Sequence, residues 1–210
     1  MPPRGLRERQ RRQRADQVLD AADRLFAAQG YEATRIEEIA ANADVAPATV
    51  YNYFVTKPNL LMALAVRHVR AALPERRAYL RALPADPIAG INGFEALLAT
   101  QATRHLSREC WRIILSAQYL EQGGQAHRTG TRLNLLLRRQ YVRVLRHYQE
   151  RGRLRPGLDL ADLAELIVGI TSWHFAAYIS SATMSREELL EKGARQLRLV
   201  LAGLLLTPAA

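Results

Sequence analysis

The 210-residue sequence has one cysteine, Cys110, and only two lysines, Lys57 and Lys192. A single cysteine forms no intramolecular disulfide, which fits a reducing cytoplasm and excludes the disulfide-stapled secreted class. Glycine and proline number 12 and 9 and gather in a few places, so most of the chain is free of helix breakers. No run of alternating β-branched residues reads as a strand. No 18-residue stretch is both apolar and free of charge, and the opening MPPRGLRERQRRQR lacks the apolar segment of a secretory signal. Neither a membrane span nor a leader is expected. The five histidines, at 68, 105, 127, 147 and 174, have no metal-ligand spacing to one another or to Cys110, so no metal is expected. There is no glycine-rich phosphate loop and no nucleophile elbow. We therefore expect no catalytic residues, no cofactor and no enzyme.

What the chain does have is alanine, leucine and arginine, with 49% hydrophobic residues. That is enough apolar surface for a buried core, and the mix favours helix throughout. The net charge of +10 points to a polyanionic partner, but 28 of the 30 basic residues are Arg, as a genome rich in arginine codons would produce. Its distribution argues against a simple reading. Residues 1–57 carry nine basic and eight acidic side chains, whereas residues 58–210 carry 21 and 12. The local excess near the start comes from Arg4, Arg7, Arg9, Arg11, Arg12 and Arg14, which read as a flexible basic arm grading into a helix.

Apolar spacing of three and four over Ala15, Val18, Leu19, Ala22, Leu25 and Phe26 predicts a first helix ending at Gly30. TRIE reads as a capping box in which Thr34 and Glu37 open a second helix carrying Ile36, Ile39, Ala40 and Ala43. A tight turn at Ala43–Asp44–Val45 follows, and Pro47 suits the first turn of a third helix reaching Tyr53. Thr56 caps a fourth helix that Pro74 is expected to close. Longer helices are predicted near 88–105, 107–121, 126–152, 159–180 and 185–206. The fold class is all-α: an N-terminal helix-turn-helix domain over 1–56 and a helical bundle over 57–210.

Two short helices joined by a tight turn describe a helix-turn-helix, which exists only if packed, because isolated helices of that length are unstable. In the third helix Val50 and Phe54, with Val45, face inward. Pro47, Ala48, Thr49, Tyr51, Asn52 and Tyr53 are left outside, an apolar and hydroxyl-rich surface that a DNA groove would explain. Ala48 permits close approach, Thr49 and Asn52 can address base edges, and the tyrosine hydroxyls can reach phosphates. Lys57 and, across the motif, Thr34 and Arg35 stand at helix starts, where backbone N–H groups favour phosphate. The competing reading is that Tyr51 and Tyr53 only pack against the bundle.

The segment GYEATRIEEIAANADVAPATVYNYFVTKPNL, residues 30–60, resembles the DNA-binding domain of TetR (tetracycline-repressor-like) transcriptional regulators. Gly30, Tyr31, Thr34, Ile39, Ala40, Ala43, Val45, Tyr51, Phe54, Lys57 and Leu60 carry the resemblance. It departs at Asp44, where a turn glycine is usual, at Ala46, where a capping serine is usual, at Pro47–Ala48 and at Tyr53, where histidine is common. The departures bear on which bases are read.

The resemblance implies a homodimer on double-stranded palindromic DNA, more often a repressor than an activator. A small-molecule effector in the C-terminal bundle would release it by shifting the fourth helix. The two last and most apolar helices suit a four-helix dimer interface. Phe94, His105, Trp111, Gln118, Tyr119, Tyr141, Trp173, His174 and Tyr178 are candidate linings for an apolar or aromatic effector. Nine arginines between Arg128 and Arg155, against Glu150, read either as a solvated face or as a site for an anionic effector such as a phosphate-bearing acyl thioester. A DNA-binding regulator or architectural protein without an effector is the alternative function.

Overall fold

The computed structural model describes residues 4–120 and 122–206, with the Arg4 side chain left aside. Among them the chain forms nine α-helices and one isolated β-bridge, Leu154 to Leu205. The helices are α1 Arg4–Gln29, α2 Ile36–Asn42, α3 Pro47–Phe54, α4 Lys57–Arg81, α5 Pro87–His105, α6 Arg108–Leu120, α7 Gln125–Glu150, α8 Leu160–Ser180 and α9 Arg186–Leu201. The all-α expectation holds.

The chain divides into two compact units. The first comprises residues 1–70 and 103–129; the second, residues 71–102 and 130–210. In the first unit α2 packs on α1 and α3. Val18, Ala22 and Phe26 of α1, Ile36, Ile39 and Ala40 of α2, Val50 and Phe54 of α3, and Leu60, Leu61 and Leu64 of α4 are buried. Each large apolar side chain removed from water contributes about 1.5–3 kcal/mol, and this shared core holds two helices too short to survive alone. Arg67 of α4 clamps α1 with a guanidinium 2.5 Å from Asp20 Oδ1 and 3.3 Å from Asp23 Oδ2.

The second unit is built around Ile91 and Phe94 of α5, Tyr141, Val144, Leu145 and Tyr148 of α7, Ala164 and Ile167 of α8, and Leu197 and Leu201 of α9. Gly90 is required here: a Cβ on it would lie 1.7 Å from the Tyr148 hydroxyl, which donates to the Pro84 carbonyl at 2.9 Å. Helix starts are capped as their sequences dictate. Asp159 accepts from the Ala161 and Asp162 amides, Ser185 from Glu188, Ser107 from Cys110, and Thr56 from Asn59.

Several expectations need correction. The basic segment from Arg4 onward is the first part of α1, not a flexible arm; residues 1–3 lie outside the described residues. Thr34 does not form a capping box with Glu37: its hydroxyl donates to the Gly30 carbonyl at 2.7 Å. The helix starts one residue later, where the Arg35 amide donates to Glu38 Oε2 at 2.9 Å. Pro74 does not close α4, which continues to Arg81. Proline removes one helical hydrogen bond, to the Arg70 carbonyl, and packing of Tyr79 and Leu80 beyond it against the core of the second unit offsets that loss. The last helix ends at Leu201 rather than 206, because Leu206 N–H donates to Arg153 O and Arg155 N–H to Leu204 O, which turns the chain back.

Candidate nucleic-acid interface

The turn between α2 and α3 is made by Asp44 at φ 52°, the left-handed geometry expected of an aspartate standing in for glycine. Ala46 precedes α3 with no side-chain cap, as its methyl requires. Pro47 opens the helix, where its missing N–H has no partner to lose.

On α3 the division of faces is plain. Val50 and Phe54 are buried at 1% and 6%, whereas Pro47, Ala48 and Asn52 are exposed and Tyr51 is 47% exposed. Thr49 and Tyr53 are half-buried at the edges. Tyr53 packs edge-on against Phe54, and the Arg11 guanidinium of α1 lies 5.9 Å from its ring centroid. A basic residue of α1 therefore borders α3, an arrangement the charge count alone could not reveal.

The helix-start residues divide. Arg35 is exposed. Thr34 is 1% exposed, with its hydroxyl committed to Gly30 O. Lys57 is half-buried; its ammonium sits 4.1 Å over the Tyr31 ring and 3.5 Å from the Glu32 carbonyl. That cation–π contact fixes the start of α4 beside the turn that opens α2.

Past α3 the backbone makes a γ-turn: Val55 has φ 64° and ψ −46°, and Thr56 N–H donates to Phe54 O at 2.7 Å. This geometry is rare and strained, more so for a β-branched residue, and Val55 is 64% exposed. Sequence reading missed it, since VTK carries no turn glycine. It also missed Glu109 of α6, whose two carboxylate oxygens accept the Tyr31 and Glu32 amides at 2.9 and 3.1 Å. No local signal could have paired residues 78 positions apart.

The nine bundle candidates do not form one group. His105, Trp111, Gln118 and Tyr119 belong to the first unit, and Phe94, Tyr141, Trp173, His174 and Tyr178 to the second. Within the first, His105 stacks on His68 at 4.5 Å, Gln118 is buried and Tyr119 is 74% exposed. Within the second, Phe94 and Tyr141 are in edge-on contact at 5.3 Å, and His174 Nε2 lies 3.1 Å from Gln196 Oε1. Trp173 is 72% exposed and lines an open groove of about 710 Å³ with Asp162, Glu165, Leu166, Gly169, Ile170 and Gln196. Helix α8 is long and apolar enough to cross a membrane by length and composition, and a third of that stretch is buried. Of the nine arginines from 128 to 155, only Arg138 and Arg153 are half-buried; the rest are exposed.

A trihelical unit with a short exposed helix after a tight turn is the architecture of a DNA-binding helix-turn-helix protein. Residues 18–64 match the family described as bacterial regulatory proteins, tetR family. The chain is 38% identical to the HTH-type transcriptional regulator TcmR of Streptomyces glaucescens over 93 residues, 44% of this chain and 38% of that one. It is 30% identical to the HTH-type transcriptional repressor NicS of Pseudomonas putida over 160 residues, 76% of this chain and 72% of that one. Among solved structures it resembles the TetR-family repressor FadR of Thermus thermophilus, in complex with lauroyl-CoA, with a TM-score of 0.71 at 22% identity over 93% of this chain and 97% of that one. The chain belongs to the TetR family of transcriptional regulators. It is a DNA-binding regulator and not an enzyme.

Proposed function

We propose that the protein is a cytoplasmic, ligand-responsive repressor that binds a palindromic operator as a homodimer. The observation that carries this reading is the two-faced α3, with Val50 and Phe54 buried and Ala48, Tyr51 and Asn52 open. Residues 1–56 serve as the DNA-binding domain and 57–210 as the effector and dimerisation domain. Thr49 and Asn52 address base edges, Pro47 and Ala48 allow the backbone close to the groove, and Tyr51 and Tyr53 reach phosphates. Arg35 adds a phosphate contact, Lys57 and the α4 start another, and Thr34 acts by holding the α2 start.

Two-fold symmetry follows from the groove geometry: two recognition helices about 34 Å apart enter successive turns of one DNA face. Exposed Leu166, Trp173 and Leu199 on α8 and α9 support a second copy as the partner of that face. The likeness to a repressor crystallised with lauroyl-CoA supports an effector-responsive bundle. An effector that binds the non-operator state better shifts α4, alters half-site separation and lowers operator affinity.

Selection from a random DNA pool tests the reading. One palindrome should emerge, bound by the dimer, and a Tyr51→Phe variant should lose affinity for specific and nonspecific DNA alike. Enrichment of no motif would overturn it.

A further inference from the structure

The second unit encloses a cation that the fold leaves without a counter-ion. Arg76 of α4 is 5% exposed. Its Nε donates to Gln101 Oε1 of α5 at 2.7 Å and its Nη1 to Gln140 Oε1 of α7 at 3.3 Å. Both partners are neutral amides, and no carboxylate among the described residues pairs with it. Burial alone pulls the guanidinium down to about 10, still charged at neutral pH. An unneutralised buried charge is costly, and an apolar side chain of similar volume would pack there more cheaply.

The geometry holds the cation in a fixed orientation. Gln101 Nε2 donates to Glu75 Oε2 at 2.8 Å and to Ala72 O at 3.5 Å, which turns the amide oxygen toward Arg76. Three helices thus fix the fork. A guanidinium has five N–H groups, and the two amides take one at Nε and one at Nη1, so one N–H of Nη1 and both of Nη2 meet no acceptor among the described residues. The Nη1–Nη2 end thus keeps N–H groups on both nitrogens, and one from each is what grips a carboxylate or phosphate in two parallel hydrogen bonds. One turn along α4 from Arg76, Tyr79 stacks on Phe94 at 5.9 Å; Phe94 meets Tyr141 edge-on at 5.3 Å, and the Tyr141 hydroxyl is buried without a partner. The aromatic cluster one turn from the cation thus carries an unused polar group, which a ligand reaching it could satisfy.

We propose that Arg76 is the anion subsite of an effector site inside the second unit: its free edge takes the carboxylate or phosphate of a small aromatic acid, Gln101 and Gln140 hold the fork, and Phe94 and Tyr141 flank the aromatic body. This rests on the effector reading above and deepens it. It also moves the anion site away from the exposed arginines of α7, where water screens any ion pair.

The test uses the full chain without DNA and four probes that share one body: 2-naphthoate, 2-naphthyl phosphate, neutral 2-naphthamide and 2-naphthylmethylammonium. Calorimetry on the wild type should show one of the two anions binding at least tenfold tighter than the amide, and which one identifies the head group. Arg76→Met should abolish that preference while keeping a melting temperature at or above the wild type. Should Arg76→Met fail to fold, Arg76→Lys decides: it keeps the charge, loses the fork and should weaken only the anion.

Four results would overturn the site: equal affinity for amide and anions, preference for the ammonium (which would favour the buried Glu95 carboxyl), anion preference surviving either variant, or no binding by any probe. A probe that binds through Arg76 yet leaves operator affinity unchanged would sink the effector reading and leave the site standing. Release of DNA by a probe indifferent to Arg76 would do the reverse.

Discussion

The carboxylate of Glu109 takes the backbone amide of Tyr31 at 2.9 Å, and its second oxygen takes that of Glu32 at 3.1 Å. One side chain at the start of α6 therefore satisfies two amides in the turn that positions α2. The turn is tight around it: a Cβ on Gly30, at φ 83°, would stand 3.0 Å from Glu109 Oε2.

Glu109→Ala should leave both amides without their charged acceptor. Hydrogen bonds to charged groups contribute about 1.5–3 kcal/mol each, so a loss of roughly 2 kcal/mol is expected in urea unfolding. Amide exchange at Tyr31 and Glu32 should speed up selectively. Unchanged protection there would mean that the contact is not maintained in solution.

The proposed base reading by α3 is tested by Thr49→Val and Asn52→Ala. Each should change which bases are preferred at one operator position, at about 1–3 kcal/mol for a lost direct contact. If Tyr51 holds a phosphate as proposed, Tyr51→Phe should instead weaken all sequences similarly, because phosphate contacts carry no sequence information. Binding to a panel of single-base operator variants at fixed salt separates the two patterns.

Val55 is held at φ 64° with little burial to justify it. Glycine reaches that region without a Cβ clash, so Val55→Gly should raise stability by up to about 1 kcal/mol despite its greater chain entropy. Urea titration reads this directly. A loss of stability would show that Val55 does not occupy the strained conformation.

Burial pushes the Glu95 carboxyl up to about 8, and its Oε1 has no hydrogen-bond partner. The folded state thus holds a proton that the unfolded chain releases near 4.5. Its contribution is complete below about pH 4.5 and is lost as pH rises toward about 8. Glu95→Gln should flatten that fall, so the drop in melting temperature from pH 5 to pH 8 becomes smaller than in wild type. His68, lowered chiefly by burial, acts in the opposite sense as pH falls, and it is common to both proteins in the comparison.

Trp173 is 72% exposed on α8, beside Leu166 at 50%. If a second copy covers this face, Trp173→Asp should weaken dimerisation by about 2 kcal/mol or more, the scale of a central aromatic anchor. Sedimentation velocity at micromolar concentration should then show monomer. A dimer of undiminished affinity would assign the interface elsewhere.

The sequence by itself determined the helices, the helix-turn-helix and its two faces. Those features are written in short-range chemistry: apolar residues at spacings of three and four, caps at Thr56, Asp159 and Ser185, proline at the start of α3 and an aspartate that tolerates left-handed geometry at 44. Tertiary structure alone decided what depends on residues distant in the chain. It carried α4 past Pro74, drew Thr34 inward, set Arg11 beside Tyr53, tied Glu109 to the Tyr31 turn and enclosed Arg76 between two glutamines. Local propensity is worth tenths of a kcal/mol to about 3 kcal/mol per residue, and burial of many side chains overrides it. The pairing of buried polar groups across helices has no periodic signature, so the nine effector candidates could be named from composition, but their division between the two units could not.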